Sequence, residues 1–433
     1  VNIALLHYAC PPVVGGVETV LAQQARSLVA NGHHVTVFCG RGAPFADRVR
    51  VRVIPELQST DAALFAVRKS TESVGTGRHP SNELAEPPWP GLGGSGSPAQ
   101  DSRRKTQDSG LGPDDLAWRV SAAIAVLQQL LTGFDVVIAH NLLTMPFNLV
   151  ATHALVRLAA RGMRIVAWTH DLAAANPDYE VPQGPLFDVL RTRQPRICYV
   201  TVSEARARSF QDLTGTAVDS VVPNGIDLAS TLGITREVDA LLGPLAAEAA
   251  LLFYPTRILR RKNLELAFEV LAAFRPLAYP VKLVVTGAVN PHGLPDQAYA
   301  HKLRGRAEAL GVTDGVVWVN ERFFVDGVQL RSLYLLIDGV FYPTRQEGFG
   351  LPLLEAAAFR VPVFCSAIEP LRRHLPFNSV TFDLQSPSRD IAAKIIRALE
   401  SDQAYLSRKR LIREHSAQRS YLEQMEPLLR KLT

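Results

Sequence analysis

Cysteine is scarce in this chain: there are four among 433 residues, Cys10, Cys39, Cys198 and Cys365, and no C-x-x-C pair. That excludes a cysteine-built zinc cluster and a disulfide framework, and it fits reduced thiols in a cytoplasmic setting. Long apolar runs are lacking too. No stretch approaches the roughly 18 consecutive apolar residues needed to span a bilayer. The first residues pass straight into a β-prone run, without the charged-then-apolar order of a secretory signal. The sequence starts at Val1, not at an initiator Met, so a short native segment ahead of it is expected to be missing. Neither sign of charge dominates: 46 Lys and Arg face 41 Asp and Glu, a formal charge of +5. Such a balance permits anionic partners without requiring one, and no nucleic-acid partner is expected from it.

What is present is an ordinary globular composition, 47% hydrophobic and 20% charged, which supplies enough apolar surface to offset chain entropy. At about 150 residues per domain, the length predicts two or three domains with sizeable cores. Val1–Tyr8 (VNIALLHY) reads as a strand that leads through Pro11, Pro12, Gly15 and Gly16 into a helix over Val17–Ala30, closed by Asn31-Gly32. A second strand follows at His34–Cys39, which makes the opening a βαβ unit of the Rossmann kind. Phe134–His140, Arg164–His170 and Ile197–Ser203 continue the alternation, and continuous apolar strands separated by helices mean a parallel sheet covered on both faces.

The pattern is interrupted over about Ser70–Pro113, rich in Gly, Pro, Ser and charge and without any period, which reads as a mobile insertion. Its Arg103-Arg104-Lys105 cluster offers a point of peripheral contact with an anionic membrane face, although such runs are usually just solvated. The alternation begins afresh at Leu251, with strands at Val281–Thr286, Val316–Asn320, Gly339–Tyr342 and Val361–Ser366. The expected organisation is therefore α/β, with two Rossmann-like doubly wound domains. A first domain covers residues 1–225 and a second domain 226–405. One long helix from about Gln403 to Leu432 follows, its last part, 406–433, returning toward the first domain. A ligand cleft is expected between the carboxyl ends of the two sets of strands.

The chemistry concentrates in EGFGLPLLE, Glu347–Glu355, which follows an apolar strand and opens a helix near Leu351. Two glycines allow close backbone approach, and free N–H groups wait at the helix start. The carboxylates stand eight positions apart, one in the loop and one about a turn inside the helix, so they reach opposite ends of an extended ligand. Carboxylates accept from vicinal hydroxyls, and the intervening amides suit a phosphate. Arg257 and Lys262 follow the first strand of the second domain five residues apart, placed to neutralise a diphosphate or, with Arg260 and Arg261, to form a surface basic patch. Gly15-Gly16 precedes a helix and presents amides, yet it also reads as an ordinary tight turn. Its incomplete spacing argues against a dinucleotide cofactor. His170 ends an apolar strand, where a side chain projects from the sheet into a crevice; His140 occupies the same kind of position, and both also read as structural histidines.

Glu347–Glu355 resembles the E-x₇-E motif of retaining GT-B glycosyltransferases, particularly the large family-four group. VPNGID at Val222–Asp227, Arg257 with Lys262 in TRILRRKN, WTHD at Trp168–Asp171, VSE at Val202–Glu204 and GGVE at Gly15–Glu18 fall in that family's order. The resemblance spans nearly the whole chain except the insertion. It implies that Glu347 contacts hydroxyls of a transferred sugar and Glu355 the ribose. It further implies main-chain contacts from Phe349, Gly350 and Leu351, and diphosphate contacts from Arg257, Lys262, Gly15 and Gly16. His170 would lie beside the donor sugar, with Asp171 as its structural support. Asn224-Gly225 is either a β-turn between domains or a ligand contact. The partners implied are a nucleoside-diphosphate sugar, UDP- or GDP-linked, and a hydroxyl acceptor, whether saccharide, lipid-linked or polyol. The implied reaction is hexose transfer with retention by front-face attack, with no metal and no cofactor.

The chain also departs from the family. Where the family often carries a Gly-Gly-x-Pro-Glu loop, this sequence reads Ala367-Ile368-Glu369-Pro370-Leu371, which removes the expected glycine contacts. The base pocket expected around Asn320–Phe324 carries no decisive residue, and the final helix has Tyr421 in place of a frequent Trp. Epimerases share the layout but lack E-x₇-E. The alternative from another class is a catalytically inactive nucleotide-binding or scaffold subunit on the same fold.

Overall fold

An almost unbroken apolar run makes Asn2–Ala9 (β1) a strand whose Ile3, Ala4, Leu5 and Leu6 are wholly buried, as a parallel strand covered on both faces must be. The computed structural model describes residues 1–59, 113–287, 294–376 and 378–433. The chain divides into two units, Val1–Pro223 with Glu423–Thr433, and Asn224–Leu422.

In the first unit β1 leads into α1 (Gly16–Ala30), which buries Leu21, Gln24, Ala25 and Leu28 on one face and ends at Asn31, whose amide donates to Ser27 O. There follow β2 (His34–Arg41), β3 (Val49–Val53), α2 (Pro113–Leu131), β4 (Val136–His140), α3 (Leu149–Ala160), β5 (Ile165–Thr169), β6 (Ile197–Thr201), α4 (Glu204–Thr214) and β7 (Ser220–Val221). The strands form one sheet in the order β3-β2-β1-β4-β5-β6-β7, and every pairing is parallel. The strand order reverses between β1 and β4, so the loops leaving their carboxyl ends diverge to opposite sides and open a crevice.

The second unit repeats the scheme with α5 (Leu228–Leu232), α6 (Arg236–Glu248), β8 (Ala250–Tyr254), α7 (Leu264–Phe274), β9 (Val281–Val285), α8 (Leu294–Ala309) and β10 (Val316–Trp318). It continues through α9 (Gly327–Leu336), β11 (Gly339–Tyr342), α10 (Leu351–Ala358), β12 (Val363–Ser366), β13 (Ser379–Phe382) and α11 (Ser388–Ser401). Its sheet order is β10-β9-β8-β11-β12-β13, again all parallel, with the reversal between β8 and β11. The α/β doubly wound reading of the sequence is what each unit shows. The central strands stand where the apolar runs placed them, whereas β3, β7 and β13 went unread. β3 is VRVRV at the sheet edge, with alternating arginines, and β7 has only two residues.

The stretch Gln403–Leu432, expected as one helix, is broken. α12 (Gln403–Glu414) stops where His415 and Ala417 pair with the backbone of Ile226, Ile226 N donating to His415 O at 2.7 Å and Ala417 N to Ile226 O at 3.0 Å. Those groups are no longer available to an uninterrupted helix, and Ser416 starts a new one by accepting from Arg419 N. α13 (Ala417–Ser420), a π turn over Tyr421–Met425 and α14 (Glu426–Leu432) complete the chain. Gly225 permits the approach, because a Cβ there would lie 2.5 Å from Ala417 Cα. The expected insertion lies outside the described residues up to residue 112, with its Arg-Lys cluster, and Pro113 already opens α2. No described helix is long and apolar enough to cross a membrane.

Candidate active site

The loops after β8 and β11 leave the switch point of the second sheet and are sutured to one another. Asn263 Nδ2 donates to Pro343 O at 3.1 Å, Thr344 Oγ1 to Arg261 O at 3.1 Å, and Arg345 N to the same carbonyl at 2.8 Å. A 3₁₀ turn over Arg260–Lys262 fans the three basic side chains apart. Arg260 lies over the Tyr299 ring at 4.9 Å and Arg261 is exposed with NH1 3.6 Å from Glu347, while Lys262 is turned inward and buried. Lys262 Nζ donates to Glu347 Oε2 and, at 2.7 Å, to the hydroxyl of Tyr342, which in turn donates to Glu347 Oε2 at 2.6 Å. Residues eighty-five positions apart in sequence thus form one triad of cation, phenol and carboxylate.

Burial alone would raise the Glu347 carboxyl, but the hydrogen bonds from Lys262 and Tyr342 and the Lys262 charge outweigh it and hold it below the usual carboxylate range. Burial, with the neighbouring Arg261 charge, lowers the Lys262 ammonium despite the Glu347 carboxylate that raises it. Burial and the Glu347 carboxylate both push the Tyr342 phenol far up, so it stays a neutral donor. Beyond the triad, Gly350 takes a left-handed backbone (φ +94°) and starts α10, whose first amides have no partner within the helix. Four residues into α10, Glu355 accepts from Tyr334 at 2.7 Å. Two carboxylates, a cation and a helix N-terminus therefore stand along one edge of the sheet, a set suited to hydroxyls and an anion together.

At the corresponding edge of the first unit, the β1–α1 loop places Gly15 as the extended N-cap of α1 and Gly16 as its first residue. A cavity of about 700 Å³ opens there, lined by Gly16, Glu18, His7, Arg41, Asn141 and Phe147 among others. His140, completely buried at the end of β4, shares a 2.9 Å hydrogen bond with His170 and a 2.8 Å one with Gln24. Asn141, itself left-handed (φ +56°), accepts from the His170 amide at 2.8 Å. Burial pushes the His170 imidazole down to about 4, and it pushes His140 down as well. Its contact with His7, at 3.7 Å, holds Glu18 below the usual carboxylate range.

The structure brings Lys262 and Glu347 together and does not bring Arg257 to them. Arg257 is exposed; its carbonyl accepts from Thr256 Oγ1 at 3.0 Å, but its guanidinium makes no hydrogen bond or ion pair to a described residue. Arg261 is the arginine near Glu347. Phe349 is half exposed against the His374 ring at 4.2 Å, and Leu351 is exposed at the first turn of α10. Asp171 accepts from Leu172 N and Asn176 and pairs with Arg206 at 3.1 Å, a local brace behind His170. Gly225 lies close against the backbone of Ala417, and Asn224-Gly225 forms no hydrogen-bonded turn. Tyr342, Gln24 and Asn141 escaped the sequence reading, and Arg261 entered it only as part of a surface basic patch. The one usable signal was the place of Tyr342 as the last residue of the strand before Glu347. Among the described residues no group of three or more His, Cys, Asp or Glu could hold a metal ion.

Residues 243–417 match the family model described as glycosyl transferases group 1. A D-inositol 3-phosphate glycosyltransferase of Actinosynnema mirum is 34% identical over 155 residues, which cover 34% of this chain and 35% of that protein. The O-antigen biosynthesis glycosyltransferase WclY of Escherichia coli is 26% identical over 151 residues, 35% of this chain and 37% of its own length. The chain thus spans about a third of the length of these curated relatives. A solved sucrose-phosphate synthase from Thermosynechococcus elongatus aligns over 100% of this chain and 98% of its own at 17% identity, with a TM-score of 0.35, too low to bear on function. The stretch that matches the glycosyl transferases group 1 model carries Arg257, Lys262, Glu347 and Glu355.

Proposed function

We propose that this chain is a retaining glycosyltransferase of the GT-B kind that moves a hexose from a nucleoside-diphosphate sugar, UDP- or GDP-linked, to a hydroxyl acceptor. The observation that carries the reading is the buried Lys262–Tyr342–Glu347 triad ahead of the α10 N-terminus, inside a glycosyl transferases group 1 domain. In this reading the sugar C1–O bond to the diphosphate breaks while a bond forms from C1 to the acceptor oxygen on the same face. The acceptor proton passes to the departing phosphate. Lys262 and Arg257 offset the charge that builds on the leaving oxygens, which is where fixed cations lower a barrier most. Glu347 holds sugar hydroxyls and Glu355 the ribose, with main-chain support from Phe349, Gly350 and Leu351. Gly15, Gly16 and His170 are assigned to the diphosphate and the sugar by the same reading. The relatives named for inositol phosphate and O-antigen synthesis leave saccharide, lipid-linked and polyol acceptors all in play.

The test is a thermal-shift panel of UDP, GDP, ADP and their sugar conjugates on wild type and Glu355→Ala, followed by a transfer assay on Lys262→Ala. A ligand at about 100 times its dissociation constant stabilises the fold by roughly 2.7 kcal/mol. One nucleotide series is expected to raise the melting temperature, Glu355→Ala to remove that rise, and Lys262→Ala to abolish transfer. Binding without turnover by the wild type, across the donors and acceptors tried, would favour an inactive subunit. Full transfer by Lys262→Ala would end the role given to that residue.

A further inference from the structure

His170 stands at the end of a buried chain of three side chains that begins on α1. Gln24 is buried on the inner face of that helix, and its Oε1 lies 2.8 Å from His140 Nε2. His140 Nδ1 lies 2.9 Å from His170 Nε2, and the two ring planes are within 16° of each other. Ring N–H groups and lone pairs lie in the ring plane, so near-parallel rings can meet nitrogen to nitrogen with good alignment. The His140 ring is further confined by Trp168 at 5.9 Å, and its own carbonyl O is 3.0 Å from His7 Nδ1.

A neutral imidazole has one donor and one acceptor nitrogen, and the partner of one nitrogen decides the state of the other. Burial keeps both histidines neutral around pH 7. An amide oxygen can only accept, so His140 Nε2 carries its proton toward Gln24. His140 Nδ1 is then a bare lone pair and must accept from His170 Nε2–H. That leaves His170 Nδ1 as a lone pair, and it is the ring nitrogen of His170 without a hydrogen bond to a described residue.

The geometry points to Gln24 and His140 as positioning residues that lock His170 in its Nε2–H tautomer, so that Nδ1 is a fixed acceptor for a ligand hydroxyl. This rests on the glycosyltransferase reading for the identity of the ligand, but the tautomer itself does not. An acceptor nitrogen takes a hydrogen bond from a sugar hydroxyl without offering a proton to the leaving oxygen. A ring free to exchange tautomers would spend part of its time presenting an N–H that such a hydroxyl must turn to meet.

The experiment is ¹H–¹⁵N correlation of the histidine ring nitrogens in the full, ligand-free chain at pH 7, with His170→Gln used to assign the signals. His170 protonated at Nε2 in the wild type, and a mixture of tautomers in Gln24→Met, are the expected results. An Nδ1–H His170 in the wild type, or an unchanged tautomer in Gln24→Met, would overturn the proposal, and neither depends on any transfer activity. Once a donor is identified, Gln24→Met is expected to lower kcat/KM roughly tenfold, the scale of one neutral hydrogen bond. Gln24→Glu sets a carboxylate against His140, which favours the imidazolium and turns His140 Nδ1 into a donor, so it is expected to give His170 the Nδ1–H tautomer and a loss at least as large; an equal loss in both variants with the Nε2–H tautomer retained would show that only packing at position 24 matters. Correct tautomers together with no turnover for any donor would instead count against the glycosyltransferase reading.

Discussion

The Tyr342 hydroxyl donates to Glu347 Oε2 at 2.6 Å while accepting from Lys262 at 2.7 Å, so a phenol at the end of β11 holds both charged members of the candidate site. The ring also lies under the ammonium, 4.8 Å from Nζ to its centre. Tyr342→Phe keeps the ring and the cation but removes the shared hydroxyl. Hydrogen bonds to charged groups contribute about 1.5–3 kcal/mol each, and the freed Lys262 and Glu347 retain each other. The expected outcome is a loss of about 2 kcal/mol on unfolding in urea, with kcat/KM down about tenfold or more through a less fixed Glu347. Wild-type stability and rate in this variant would remove Tyr342 from the site.

Acid should weaken the first unit through its buried histidines. His170 titrates at about 4 in the folded chain against 6.5 unfolded, and burial moves His140 in the same direction. Between those values the unfolded chain holds protons that the folded one does not, so stability is complete above about pH 6.5 and drains as pH falls toward 4. Each histidine contributes at most about 1.4 kcal/mol per pH unit in that window. The carboxylates of Glu347 and Glu18, held below their usual range, add their own loss only below about pH 4.5. Urea melts at pH 7 and pH 5 check this: the drop in wild type is expected to shrink in His170→Asn, and an equal drop in both would refute it.

Which parts of this were legible in the sequence follows from what local pattern can encode. β1, β4, β8 and β11 are continuous apolar runs because both their faces are covered, and runs of that kind are visible without any partner. Edge strands such as β3 alternate Val with Arg and look like a loop until β2 supplies the pairing. The E-x₇-E spacing placed Glu347 and Glu355, but three successive basic residues at 260–262 gave no sign of which one turns inward. That is decided by a 3₁₀ turn and by the Tyr299 ring that takes Arg260 away. Tyr342 and Gln24 look like ordinary core positions on a strand and a helix face. Tyr342 meets Lys262 from 80 positions away and Gln24 meets His140 from 116, separations that no spacing rule reaches.

Gly350 is held where only glycine is at ease. Its φ is +94°, and an added Cβ would lie 2.6 Å from Leu371 Cδ2. Gly350→Ala must either shift the start of α10 or push Leu371 within the core, at a cost of about 1–3 kcal/mol. Because Glu347 precedes this turn and Glu355 follows it, a shifted helix start alters the distance between the two carboxylates. Weaker nucleotide binding in a thermal-shift titration, along with a lower melting temperature of the unliganded protein, is the expected pair of results. A variant with unchanged affinity would show that the turn is not part of the ligand site.

Far from that site, Lys409 ties α12 to the second sheet from inside the core. Nζ pairs with Asp338 at 2.6 Å and donates to Ala246 O at 2.8 Å and Ala249 O at 2.7 Å, and Asp338 also accepts from Leu251 N at 2.7 Å. Both side chains are about 95% or more buried. Removing one partner of a buried ion pair leaves the other uncompensated, which costs about 3–5 kcal/mol. Lys409→Met is expected to lose that much in urea unfolding, and Lys409→Met with Asp338→Asn to recover part of it, because the second substitution removes the stranded charge. Nucleotide affinity at a temperature where the variant is folded should match wild type, since neither residue faces the Lys262–Glu347 edge. Additive losses in the double variant would mean that the two side chains act on stability independently, and that the anchor of α12 is its carbonyl bonds alone.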